Sequence, residues 1–144
     1  MQIAPYAYGD SKATLSAFMR DEQLKAMSLI ANSGMVCTMD IGSEKWIHPA
    51  EKETVAKRLA LWSLSETYNF KGLSYKSPTF KSFDVKDSVM TISFNNAENG
   101  ITTFDKSVDC FELAGEDKVF YPAKMIKMYN EFRKIQVVSD KVRR

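Results

Sequence analysis

The spacing of apolar residues changes near residue 70, and this change restricts the folds open to the chain. In the first half, apolar residues recur three or four positions apart, as on one face of a helix: Leu15, Phe18, Met19, Ala26, Met27 and Ile30. In the second half, Met90-Thr91-Ile92-Ser93-Phe94 alternates from one residue to the next, as on one face of a strand. The sequence therefore predicts helices first and an antiparallel β region after them.

The first half begins with a predicted helix followed by a predicted strand. The helix is expected over about residues 14–31 and ends at Asn32-Ser33-Gly34. Met35-Val36-Cys37-Thr38-Met39 is short and apolar and lies between helical patterns, which is typical of a buried strand in a parallel sheet.

A loop over residues 40–48 then leads to a second predicted helix over about residues 49–67. Pro49 suits the first helical position, where the missing N–H costs nothing. Val55, Leu59 and Trp62 are predicted to form the buried stripe. Lys52, Lys57 and Arg58 are predicted to face water. This order of elements is that of the end of a doubly wound α/β sheet.

Short strands separated by turn residues are predicted in the second half. They lie around Met90–Phe94, Phe111–Leu113, Val119–Tyr121, Ile126–Met128 and Ile135–Val137, with a hairpin turn at Gly115–Lys118. This pattern favours an antiparallel β-sandwich-like domain. The predicted fold is therefore α/β followed by all-β, with domains at residues 1–70 and 71–144.

Composition argues against several functions. The chain has 20 basic and 18 acidic residues and a net charge of +2. Its one basic cluster, at residues 141–144, is too short to predict nucleic-acid binding. No apolar run approaches the roughly 20 residues that span a membrane. With only Cys37, Cys110 and one histidine, we expect no metal and no cofactor, and two buried free thiols are favoured over a disulfide.

His48 is the only histidine and a candidate general base. It lies in a loop after a predicted strand, where α/β sheets gather catalytic groups. Asp40 or Glu44 could orient its imidazole, as a carboxylate does in hydrolase triads. The alternative is that His48 helps to cap the following helix and packs beside Trp46.

Neither a nucleophile nor a sugar site follows from the residues alone. Gly9-Asp10-Ser11 matches a serine-esterase triplet, but a helix cap or loop is the favoured interpretation. The aromatic residues of the second half could stack on a sugar, although a place in the core is favoured: Tyr75, Phe80, Phe83, Phe94, Phe104, Phe111, Phe120 and Tyr121.

An ordered series of short blocks carries a resemblance to a known family. The blocks are residues 19–26 (MRDEQLKA), 33–36 (SGMV), 40–42 (DIG), 47–49 (IHP), 57–62 (KRLALW), 111–118 (FELAGEDK) and 120–123 (FYPA). Together they resemble the C-terminal part of sialate O-acetylesterases. That family removes O-acetyl esters from sialic acids and, in related members, from other sugars. It uses a serine nucleophile, a glycine and an asparagine in the oxyanion hole, and a histidine base.

The resemblance assigns roles to two residues of this chain. His48 matches the family's catalytic histidine in its Ile-His-Pro motif, and Asp40 matches an acidic residue at the end of the preceding strand. The family's serine block has no counterpart here and would lie upstream. Where the family often has further acidic residues before the histidine, this chain reads Ser43-Glu44-Lys45-Trp46, so Glu44 is the alternative orienter.

The resemblance therefore implies a C-terminal fragment, truncated at both ends and inactive by itself. Its parent would act on an O-acetylated sugar in a secreted, periplasmic or lysosomal setting, and the oligomeric state is left open. The alternative is a non-catalytic carbohydrate-binding or structural β module.

Overall fold

Helices occupy the first part of the chain and strands the second. The computed structural model describes residues 1–9, 14–103, 107–128 and 130–142. The elements are helices α1 (Thr14–Ala26) and α2 (Lys52–Glu66) and strands β1 (Thr79–Lys86), β2 (Val89–Asn95), β3 (Phe111–Ala114), β4 (Phe120–Lys127) and β5 (Lys134–Val138). The chain divides into two compact units, residues 1–77 and 78–144.

In the first unit, α1 forms where predicted but ends at Ala26 rather than near residue 31. Beyond it the chain turns, and the N–H of Ser28 donates to the Lys25 carbonyl. The Ser28 hydroxyl donates to the same carbonyl, and the Ser33 hydroxyl donates to that of Ile30. Serine hydroxyls that donate to backbone carbonyls in this way compete with the backbone hydrogen bonds of a helix.

The predicted strand Met35–Met39 is not formed among the described residues, so that prediction is wrong for this structure. Val36 and Thr38 are 3% and 0% exposed, as alternate residues on one face of a strand would be. The Val36 carbonyl accepts the N–H of Gln2 at 3.0 Å, and the Thr38 carbonyl accepts the N–H of Ile41 at 3.3 Å in a turn. A strand needs a ladder of backbone bonds with a neighbouring strand, and this segment does not form one among the described residues.

Helix α2 runs over most of its predicted length, but its apolar stripe is not buried. None of its residues is buried, and Leu59 is 46% exposed. On α1, Leu15, Phe18 and Met19 are exposed as well. The described part of the first unit contains no sheet that could cover these faces. The prediction that Arg58 faces water is also wrong, because its side chain is only 30% exposed and is hydrogen-bonded.

The second unit is one five-stranded antiparallel sheet with the order β1-β2-β5-β4-β3. Strand β4 is divided between two neighbours. It pairs with β3 through Phe120–Ala123 and with β5 through Lys124–Lys127. Pro122 is tolerated because its missing N–H falls before the ladder to β5 begins. The sheet curls enough for Leu113 of β3 to share a core cluster with Val137 of β5.

The core of this unit consists of Leu113, Ala123, Ile135 and Val137. Four predicted strands are confirmed, those around residues 90–94, 111–113, 119–121 and 135–137. The residues around Ile126 continue β4 instead of forming a separate strand. Strand β1 was not predicted, because a shift in register between Phe80 and Ser82 interrupts its alternation. The described strands make one curled sheet, not the two facing sheets of a sandwich.

Candidate functional site

His48 lies on an exposed loop that ends where α2 begins. The following residue, Pro49, is buried, so the loop is anchored directly beside the histidine. His48 does not cap the helix, because the N-cap position belongs to Glu51. Trp46 is exposed as well. The imidazole has no hydrogen-bond partner among the residues that the structure describes, and His48 is exposed.

The N-terminal segment, residues 2–7, holds the middle of this loop. The N–H of Ser43 donates to the Pro5 carbonyl at 3.1 Å, and the N–H of Ala7 donates to the Glu44 carbonyl at 3.2 Å. Gly42 lies so close to Pro5 that a Cβ at this position would approach the Pro5 nitrogen and carbonyl oxygen at 2.6 Å. A side chain therefore does not fit at residue 42 unless the two segments move apart.

Helix α1 holds the N-terminal segment in turn. The Gln23 side-chain oxygen accepts the N–H of Ile3 at 2.9 Å, and the Gln2 side-chain amide donates to the Arg20 carbonyl at 3.0 Å. Arg20 and Gln23 belong to one of the blocks that carry the family resemblance. Their observed contacts are structural, because they connect α1 to the segment that supports the loop.

Asp40 forms a bidentate ion pair with Arg58 of α2. Arg58 Nη1 donates to Oδ1 at 2.8 Å and Nη2 donates to Oδ2 at 2.5 Å, while Nη1 also donates to the Cys37 carbonyl at 2.7 Å. The guanidinium holds the pKa of the Asp40 carboxyl below its usual range, and the carboxylate raises the pKa of Arg58. The pair is therefore charged at neutral pH.

Glu44, the alternative orienter, is exposed, and its main-chain oxygen is engaged with Ala7. Neither Asp40 nor Glu44 forms a hydrogen bond with His48 in the described structure. The identity of the carboxylate partner of His48 thus stays a prediction. Arg58 was missed as a functional candidate, although Asp40 and Arg58 are oppositely charged members of two of the quoted blocks.

A pocket of about 530 Å³ in the same unit does not contain this site. It is lined by Asn32, Ser33, Gly34, Val36, Leu59, Trp62, Ser63, Glu66 and Thr67. Beside it, the rings of Trp62 and Tyr75 meet edge to face, and the Tyr75 hydroxyl donates to Glu66 at 2.5 Å. The Lys76 ammonium pairs with Glu66 at 2.9 Å, which fixes residues 75–76 against α2.

The remaining predicted residues lie apart from His48 or outside the described ranges. Asp10 and Ser11 of the serine-like triplet, Phe104, and Arg143 and Arg144 are not among the described residues. Both cysteines are free, but Cys37 is half-buried and Cys110 is exposed, so the prediction that both thiols are buried is wrong. Within the described ranges, no three His, Cys, Asp or Glu residues cluster as metal ligands.

Comparison with solved structures shows a likeness to a carbohydrate-active enzyme. The fold matches the crystal structure of a carbohydrate acetylesterase from Xanthomonas citri with a TM-score of 0.83 and 28% sequence identity. The match covers 99% of this chain but 32% of the Xanthomonas citri chain, so this chain spans about a third of that protein. No protein-family model and no curated protein sequence matches the chain. No helix in the described residues has the length and apolar character to cross a membrane.

Proposed function

We propose that this chain is the C-terminal part of a carbohydrate O-acetylesterase and carries the general base, His48. The likeness to a carbohydrate acetylesterase over 99% of the chain is the observation that carries this proposal. The whole reaction would require a serine nucleophile and oxyanion donors from the rest of such an enzyme. The finer assignment to sialate esters rests on the sequence blocks described above.

The exposed apolar residues of the first unit support this proposal. Leu15 and Phe18 on α1 are 70% and 67% exposed, and Leu59 of the predicted core stripe of α2 is 46% exposed. Large apolar faces on a water-soluble protein mark surfaces that another part of a protein covers. We infer that the remainder of an α/β hydrolase domain covers these helices in the parent enzyme.

His48 would act first as base and then as acid. It would accept the proton of the serine hydroxyl as the serine oxygen attacks the acetyl carbonyl, and then return that proton to the departing sugar oxygen. In the second half, it would take a proton from water as the water attacks the acyl-enzyme, and acetate would leave as serine regains its proton. The imidazole is exposed, which is compatible with access of the acetylated sugar and of water.

Asp40 is the proposed carboxylate partner of the imidazole, with Glu44 as the alternative. A carboxylate offers about four acceptor sites, so the two bonds to Arg58 leave Asp40 able to accept an imidazole N–H.

A chimeric esterase tests the proposal. The matching third of the Xanthomonas citri acetylesterase is replaced by this chain, and acetate release from an acetylated sugar is measured. We expect an active chimera that loses about 10²–10⁴-fold in kcat on His48→Ala. The control Lys45→Ala, on the same exposed loop, should retain activity.

Two results would contradict the proposal. A folded and active chimera that is insensitive to His48→Ala would remove His48 from the chemistry. Acetate release by this chain alone, abolished by Ser11→Ala, would identify Ser11 as the nucleophile and would refute the assignment of the nucleophile to another part of the enzyme.

The second candidate function is a non-catalytic carbohydrate-binding module. It is favoured by Phe80 and Phe83, which are 61% and 58% exposed on the edge strand β1. Their ring centroids lie 6.5 Å apart, and the rings are tilted by 38°. Titration of this chain with acetylated glycans should show binding that Phe83→Ala abolishes, if this candidate is correct. If the titrations show no binding, the two exposed rings have no role in glycan recognition and this candidate is wrong.

A further inference from the structure

Arg58 connects the two ends of the loop that carries His48. Asp40 lies at the start of this loop, and α2, which contains Arg58, begins at Lys52 just after its end. The same guanidinium also binds the Cys37 carbonyl at 2.7 Å. One side chain thus fixes the backbone before the loop and the helix after it.

The loop has other supports, but among the described residues only Arg58 links the backbone before the loop to helix α2 through its side chain. The N-terminal segment binds the loop in its middle, through Ser43 and Glu44. His48 itself has no hydrogen-bond partner among the described residues, so its place follows from the backbone on either side. After His48, the backbone is held by buried Pro49 and α2. Before His48, the backbone is held at Asp40.

The geometry requires arginine in particular. Three hydrogen bonds leave from two nitrogens of one planar group, two to Asp40 and one to Cys37. A lysine ammonium is a point charge and cannot present the same parallel pair of donors. By contrast, the neighbouring Lys57 makes an ordinary exposed pair with Glu53 on the same helix.

We propose that Arg58 is a positioning residue for His48, acting through Asp40 and the Cys37 carbonyl. The proposal rests on the proposed function, because it concerns the placement of the base in that reaction. A base must sit within hydrogen-bond reach of its proton, and a displacement of about 1 Å can cost on the order of 10²-fold in rate. Arg58 need not touch the substrate to have this effect.

The first test uses this chain alone and does not depend on esterase activity. His48 is the single histidine, so one imidazole signal in the NMR spectrum reports its surroundings. We expect Arg58→Lys and Arg58→Gln to shift this signal or split it into several. Lys57→Gln, the matched control, should leave it unchanged. An unchanged His48 signal in folded Arg58→Gln protein would overturn the proposal, whatever the activity of the parent enzyme.

The second test uses the chimeric esterase. Arg58→Lys is expected to lower kcat by about 10–10²-fold, with KM for the acetyl ester within about twofold. Millimolar guanidinium should restore activity to Arg58→Ala, whereas the same concentration of sodium chloride should not. If Arg58→Ala does not fold, Arg58→Lys still gives the comparison of kcat with KM.

A purely structural role gives a different pattern. It would lower the folded fraction while kcat per folded molecule stayed unchanged, and guanidinium would not rescue activity. That result would overturn the proposal and leave the assignment of His48 intact. Conversely, an inactive wild-type chimera would count against the proposed function, while the histidine signal would still decide the role of Arg58.

Discussion

Gly34 packs against the Nε1 edge of the Trp62 indole so closely that a methyl group at residue 34 would overlap the ring. A shift of Trp62 would disturb its other contacts, because its ring meets Tyr75 at 5.3 Å between ring centroids and has the Lys76 ammonium 5.6 Å from it. We therefore predict that Gly34→Ala lowers the free energy of unfolding by about 1–3 kcal/mol. Urea denaturation of the two proteins measures this difference.

The control for this prediction is a smaller ring at residue 62. Trp62→Phe removes Nε1, one of the atoms that the new methyl group would overlap. The cost of Gly34→Ala should be smaller in that background, as a double-mutant cycle would reveal. Equal costs in both backgrounds would mean that the indole does not cause the destabilisation.

Gly42→Ala is predicted to loosen the loop that carries His48. The new Cβ would meet the backbone of Pro5, which cannot rotate away as a side-chain tip can. The bonds from Ser43 to Pro5 and from Ala7 to Glu44 should weaken together. Amide hydrogen exchange should therefore become faster at Ser43 and Ala7, while protection in β5 stays unchanged. Unaltered exchange at Ser43 would contradict the close contact.

Asp40→Asn is predicted to have a pH-dependent effect on stability. Arg58 lowers the pKa of Asp40 in the folded state, so the ion pair stabilises the fold above about pH 4 and loses this contribution as the pH falls through the folded pKa. Because Asp40 is 60% exposed, the contribution at pH 7 should not exceed about 1 kcal/mol. Urea unfolding at pH 7 and in more acidic buffer should show the difference between the two proteins shrinking with acidity.

The Arg58→Gln background supplies the control for that measurement. The ion pair is already absent there, so Asp40→Asn should no longer change the pH dependence. A pH-dependent difference of the same size in both backgrounds would have to come from another group.

Val137→Ala is predicted to destabilise the β unit by about 2–3 kcal/mol, because Val137 is 0% exposed at the centre of the core cluster. Val119→Ala is the matched control, since Val119 is 47% exposed and should cost no more than about 0.5 kcal/mol. Thermal unfolding followed by circular dichroism compares them. Equal effects would place the core of this unit elsewhere.

The sequence predicted helices and strands better than it predicted their burial and pairing. Local spacing identified α1, α2 and the alternating strand at Met90–Phe94, because these patterns depend on near neighbours. It failed at Met35–Met39, where alternate residues are buried but no ladder forms among the described residues, and at Leu59, which is 46% exposed. Strand formation and burial depend on distant residues that local periodicity does not specify.

In the candidate site, too, local patterns were predicted and contacts between distant residues were not. A lone histidine before a helix could be identified from the sequence, and the family blocks marked Asp40 and Arg58 without relating them. Their ion pair and the support from residues 2–7 join positions far apart in the chain. Contacts between distant positions depend on the fold, and local sequence patterns do not specify them. For this reason Arg58 was predicted to face water, although its guanidinium binds the Cys37 carbonyl and Asp40.

The division of β4 between two neighbours has a mechanical consequence for the β unit. Phe120–Ala123 belongs to the ladder with β3, and Lys124–Lys127 belongs to the ladder with β5. Tension that peels β3 away is therefore transmitted along one continuous backbone to the ladder that holds the centre of the sheet. Loss of β3 would leave Phe120–Ala123 without its partner, while Lys124–Lys127 would still be paired with β5, so β4 would stay attached to the sheet by its second half.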